Sequence, residues 1–169
     1  MATKRLLAAG VLATVLIGVA QLAGRAQRGN APVTVVGVWR VSEVTYTGPS
    51  ARKVTNPQPG VRIFTQRYYS VSQVTSDTTR AELPPQGATD KQVADAYRPF
   101  LGQAGTYEIK GNELTFRQIA AKNPATMRAG AFSIYTFRFE GGDTLWLVLK
   151  AEQDGPVASP TTYRLTRLE

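Results

Sequence analysis

The fold turns on Gly37-Val38-Trp39-Arg40-Val41, which runs on into Ser42-Glu43-Val44-Thr45-Tyr46. The segment is rich in β-branched and aromatic residues and lacks Pro, which is the composition of a strand. Side chains alternate along a strand, so Gly37, Trp39, Val41 and Glu43 share one face. A glycine two places before a tryptophan leaves room that the large ring can fill. That face reads as the inside of a small barrel, with Trp39 closing one end.

From this strand outward, the chain reads as a series of strands joined by turns. Pro57, Pro59 and Gly60 mark a loop, after which Val61–Thr65 and Tyr68–Thr75 form two more strands. The polar stretch around Pro84-Pro85 is a loop. A short helix is predicted from Asp90, read as its N-cap, with Val93, Ala94, Tyr97 and Leu101 at helical spacing and Pro99 bending or ending it. Thr106–Lys110 and Glu113–Ala121 flank Gly111-Asn112, a two-residue hairpin signal. Ala131–Glu140 and Thr144–Ala151 flank Gly141-Gly142-Asp143, and Thr161–Leu168 is the last strand. The expectation is an all-β protein: an eight-stranded antiparallel up-and-down barrel with one short helix, whose closure removes the exposed edges.

Alternation assigns the interior. Tyr107 and Ile109 face inward, as do Leu114, Phe116 and Gln118, then Ser133, Tyr135, Phe137 and Phe139, and finally Tyr163, Leu165 and Arg167. Eight strands leave an interior that side chains fill or that holds one small ligand. The ligand-binding candidates are Glu43, Tyr69, Tyr107, Phe116, Gln118, Tyr135 and Phe137. Glu43 is also the one candidate for catalysis, because a carboxylate in an aromatic lumen has a raised pKa unless it is paired. The competing reading is a β-bulge that turns Glu43 toward water. Leu145-Trp146-Leu147-Val148-Leu149 is apolar on both faces, which calls for a cover outside, either the helix or a partner.

The composition excludes several chemistries. The 169 residues include no Cys and no His, so there is no disulfide, no thiolate or imidazole metal site, no Ser-His-Asp triad and no His- or Cys-held haem. No metal or cofactor is expected. The net charge of +8 is spread singly along the chain, which is a solvated basic surface rather than a nucleic-acid footprint.

At the N-terminus, Met1–Arg5 is basic and Leu6–Ala20 is an apolar run, followed by small residues before Ala26. This is the layout of a secretory signal peptide over residues 1–26, with a linker at 27–32 and the barrel domain at 33–169. The run is shorter than the about 20 apolar residues of a membrane span. Export to the periplasm or outside the cell is therefore expected. An uncleaved leader acting as a membrane anchor is the alternative, and the leader is the only membrane contact expected.

The chain from Val36 onward resembles the bacterial lipocalin-like domain family of calycin-type barrels. The residues that carry the resemblance are Gly37-Val38-Trp39-Arg40, Gly60-Val61-Arg62-Ile63-Phe64-Thr65 with Tyr68-Tyr69-Ser70, and Ala88-Thr89-Asp90 leading to Tyr97-Arg98-Pro99-Phe100. Gly105-Thr106-Tyr107-Glu108, Ala120-Ala121-Lys122-Asn123-Pro124 and Tyr163-Arg164-Leu165-Thr166-Arg167 continue it. The resemblance implies a barrel that binds a small, largely apolar molecule. It also implies that an arginine of the last strand, Arg167 before Arg164, packs over Trp39, so that Gly37, Trp39 and Arg167 close the barrel. The expected function is an exported protein binding a small hydrophobic or amphipathic ligand, as a monomer or weak homodimer. The alternatives are a metal-independent isomerase or cyclase using a lumenal carboxylate and tyrosines, and a structural interaction module of the envelope.

Overall fold

A computed structural model describes residues 34–169; the expected leader and linker lie outside the described residues. In chain order the strands are β1 (Gly37–Tyr46), β2 (Arg52–Val54), β3 (Gly60–Phe64), β4 (Tyr68–Val74), β5 (Phe100–Lys110), β6 (Glu113–Ala121), β7 (Ser133–Glu140), β8 (Thr144–Glu152), β9 (Gly155–Pro156) and β10 (Thr161–Arg167). One helix, α1 (Asp90–Tyr97), lies between β4 and β5. Eight of the strands form a closed antiparallel barrel in the order β1-β3-β4-β5-β6-β7-β8-β10, with β10 returning to β1. The short strands β2 and β9 are appended to β1 and β8. The expected all-β barrel with one helix is therefore the observed architecture. Among the described residues, no helix is long and apolar enough to cross a membrane.

The two ends of the barrel differ. At one end the strands turn tightly, at Asn112 with Gly111 in a left-handed conformation and at Gly141–Asp143. At the other end lie the segments 47–59, 75–99, 122–132 and 153–160, which carry β2, α1 and β9. The helix sits at this loop end. Its N-cap is Thr89 rather than Asp90: Thr89 and Gln92 form a reciprocal capping box. At its C-terminus Lys122 Nζ donates to the carbonyls of Tyr97, Arg98 (2.8 Å) and Phe100 (2.9 Å), which ties the helix end to β6.

Two further expectations change. β5 begins at Phe100 instead of Thr106, because the chain pairs with β4 immediately after Pro99. Where Ala104 and Gly105 of β5 meet β6, the partner skips from Ala120 to Gln118, so Ile119 of β6 is the bulged residue and is exposed. The helix also does not cover β8. The outer face of β8 is covered by arginines: Trp146 lies under Arg138 (4.6 Å to the ring centroid) and Arg164 (5.8 Å), and its Nε1 donates to Glu140 at 2.8 Å. Ile109, expected inside, is 50% exposed, since β5 runs past the closed end there.

Candidate functional site

The closed end is built on β1. Trp39 is fully buried, and its Nε1 donates to Val35 O at 2.7 Å. It pairs in register with Arg167, whose guanidinium stands 4.0 Å from the Trp39 ring centroid. That guanidinium also donates to the carbonyls of Thr34, Val36, Gly142 and Glu169. Gly37, at φ +139°, makes the approach feasible, because a Cβ there would sit 2.6 Å from Arg167 Nη1 and 2.3 Å from Glu169 O. The ring of Phe139 lies 6.3 Å from that of Trp39. Nothing passes through this end.

Above the plug is an aromatic floor. Phe116 is its centre, 4.5 Å from Tyr69, 5.2 Å from Tyr135 and 6.0 Å from Phe64 by ring centroids. Tyr107 packs edge-on against Phe64, and its hydroxyl donates to Thr65 O at 2.5 Å. Phe137 stacks edge-on with Phe139 near the plug. Tyr107 also packs against its register partner Phe116 at 6.3 Å, so it joins Tyr69, Phe116 and Tyr135 in one aromatic cluster, while Phe137 packs toward the plug.

Glu43 is not among them. β1 carries a bulge between Val41 and Glu43, so Val41 and Val44 both point into the core while Glu43 pairs with Arg164 on the outer face. Its carboxylate bridges Lys53 Nζ of β2 at 3.0 Å. The alternation expected across Ser42 fails because the extra residue shifts the register, and the lumen loses its expected carboxylate.

In its place the lumen holds a cation. Arg62, on β3 opposite Trp39 and Val71, is only 2% exposed. Its guanidinium carbon lies 4.1 Å from the Tyr163 ring centroid and 5.9 Å from that of Tyr135. Its Nε has no hydrogen-bond partner, and no carboxylate among the described residues lies within ion-pair distance of it. The magnitudes are uneven. Arginine keeps its proton at any ordinary pH, and burying such a charge costs several kcal/mol, whereas one cation–π contact returns about 0.5–2 kcal/mol.

The groups around Arg62 are polar and also underused. Tyr69 OH, Gln73 Oε1 and Gln118 Oε1 are buried without a partner. Gln73 is as buried as Arg62. Gly60 makes space for it, since a Cβ there would stand 2.8 Å from Gln73 Cγ and 2.9 Å from Val41 Cγ2. Burial pushes the Tyr69 phenol up to about 12, against the opposing pull of Arg62 and Gln118. Burial raises Tyr135 further, and the neighbouring Tyr163, Glu152 and Tyr69 add to the rise while Arg62 opposes it. Tyr46 is raised by burial and by Tyr163. Gln118 Nε2 reaches Ser133 Oγ only at 3.5 Å, a weak contact.

Gln118 and Ser133 are also the inner wall of a pocket at the loop end. It measures about 150 Å³ and is lined further by Asn123, Arg128 and Glu152. An open depression of about 650 Å³ near the bulge, over Arg40, Ser42, Pro57 and Arg164, shares none of these residues. Among the described residues, no group of three or more His, Cys, Asp or Glu side chains could hold a metal ion.

Alternation applied to β3 could have found Arg62, but Val61 and Ile63 are the more apolar pair and draw the eye inward. Only the register with Trp39 settles the face, and Ile63 is in fact the exposed residue.

Three solved structures are similar to this chain. A redesigned β-barrel shares 14% identity over 79% of this chain and 91% of its own, with a TM-score of 0.42. A lipocalin-like protein from Bacteroides uniformis shares 13% over 79% and 97%, also at 0.42. An uncharacterized protein from Bacteroides eggerthii shares 12% over 78% and 98%, at 0.41. No protein-family model matches the chain, and neither does a curated protein sequence.

Proposed function

We propose that this lipocalin-like barrel binds a small amphipathic molecule that enters at the loop end and lays its apolar part against the aromatic floor. The observation that carries the reading is the set of unpaired buried polar atoms on Tyr69, Gln73 and Gln118, with Gln118 also lining the mouth pocket. Each such atom costs about 1–3 kcal/mol in a folded protein, and a ligand with matching donors and acceptors offsets that cost. The 150 Å³ pocket admits the polar end of such a molecule, and deeper entry requires Gln118 to swing from its weak contact with Ser133.

Octanol is a suitable neutral probe for the test. Backbone amide shifts on titration should concentrate at Gln118, Ser133 and Tyr69, and Gln118→Leu should weaken binding about tenfold, equal to about 1.4 kcal/mol. Glu43→Gln, on the outer face, should leave the affinity unchanged. Shifts confined to the outer surface, or none at all, would remove the reading. The same proposal has the protein exported, supported by the basic start and the apolar run Leu6–Ala20. The intact mass of protein recovered from cells checks it through loss of the leader. The isomerase or cyclase alternative rested on a lumenal carboxylate at Glu43, and Glu43 instead lies past the bulge and bridges Lys53.

A further inference from the structure

We infer that Arg62 is an anion anchor and that the preferred ligand is a small monoanionic amphiphile with a carboxylate head. The inference rests on the binding reading above and adds the sign of the ligand's charge. Arg62 is 2% exposed, stacked on Tyr163 and near Tyr135, with Nε unpartnered and no carboxylate of the described chain within reach. A guanidinium presents parallel N–H groups that match a carboxylate in a bidentate fork. Tyr69 lies near both the Arg62 charge and the Gln118 side chain, and Gln118 in turn lines the mouth pocket. The Tyr69 hydroxyl adds a donor to the second carboxylate oxygen.

A neutral head group accepts a hydrogen bond from Arg62 but forms no ion pair and no bidentate fork. A cation meets Arg62 at close range in a poorly hydrated lumen and is repelled. A dianion such as a phosphate monoester carries a second charge that no further lumenal cation balances among the described residues. The aromatic floor of Phe116, Phe64 and Tyr135 accepts the apolar part. The geometry thus orders head groups as carboxylate, then alcohol, then ammonium.

The test compares octanoate, octanol and octylammonium on the intact protein by titration calorimetry at neutral pH. Octanoate should bind at least tenfold more tightly than octanol, and octylammonium should be the weakest. Arg62→Met should reduce octanoate affinity to that of octanol while octanol binding is retained. Should that variant not fold, the wild-type protein carries the test alone: the Arg62 Nε–H nitrogen resonance should shift with octanoate and stay in place with octanol. Equal binding of octanoate and octanol with an unmoved Arg62 resonance overturns the anion anchor and leaves the binding reading intact. Failure of all three probes to enter the lumen overturns both.

Discussion

Trp39 and Arg62 are register partners on β1 and β3 and share one level of the barrel, yet their side chains have different surroundings. Trp39 is sealed under the Arg167 guanidinium, and removing it leaves a cavity that the closed end has no way to fill. Trp39→Ala should therefore cost about 3–5 kcal/mol in urea unfolding, the range of large aromatic deletions from cores. Trp39→Phe should cost distinctly less, since it keeps a ring under Arg167 and gives up mainly the hydrogen bond to Val35. A loss under about 1 kcal/mol for the alanine variant would show that the closed end carries little of the stability. At this scale the sequence was legible for Trp39, whose bulk and glycine neighbour mark it, and opaque for Arg62. A charged residue in a five-residue strand is assigned to solvent by default, and nothing local says that the opposite face is the exposed one.

The elements divide between those held by packing and those held by their ends. The eight barrel strands are paired on both edges, and their inward residues form one core. Helix α1 buries only Ala96, so its capping box and the Lys122 clamp do most of the holding. Thr89→Ala should loosen it by about 1 kcal/mol. Amides of α1 should then exchange with deuterium about fivefold faster, while those of β5 and β6 keep their rates. Equal acceleration in helix and strands would mean that the helix is part of the cooperative core. Gly111-Asn112 and Gly141–Asp143 announced their hairpins because left-handed turn residues are a local requirement. The bulge at Ser42 did not announce itself. It lies in the β1–β10 ladder, on the stretch where β1 has left β3 after Arg40 and has not yet met β2 at Val44.

At the scale of the whole molecule, four phenols are held in their neutral form by burial. Tyr46, Tyr69, Tyr107 and Tyr135 are all raised above 10 with burial as the leading cause, and Tyr69 reaches about 12. In the unfolded chain these phenols ionise near 10. Above that pH the unfolded chain holds fewer protons than the folded one. Stability from this source is complete below about pH 10 and falls as pH rises through about 12. Ultraviolet phenolate absorbance should show native-protein phenolate still forming well above pH 10, from Tyr46, Tyr69, Tyr107 and Tyr135, and a single step near pH 10 in urea. A single native step near pH 10 would mean that the phenols are open to water.

Strand β10 lies between β1 and β8 and pairs with both. The barrel therefore closes through its most distant contacts, with Trp39 meeting Arg167 across nearly the whole domain. Until β10 is in place, β1 and β8 each present a free hydrogen-bonding edge, the state in which strands of separate chains join. Contacts of such long sequence separation form slowly. The Arg167 contacts that seal one end thus also set the moment in synthesis when the protein stops being prone to aggregate: it comes with its last strand.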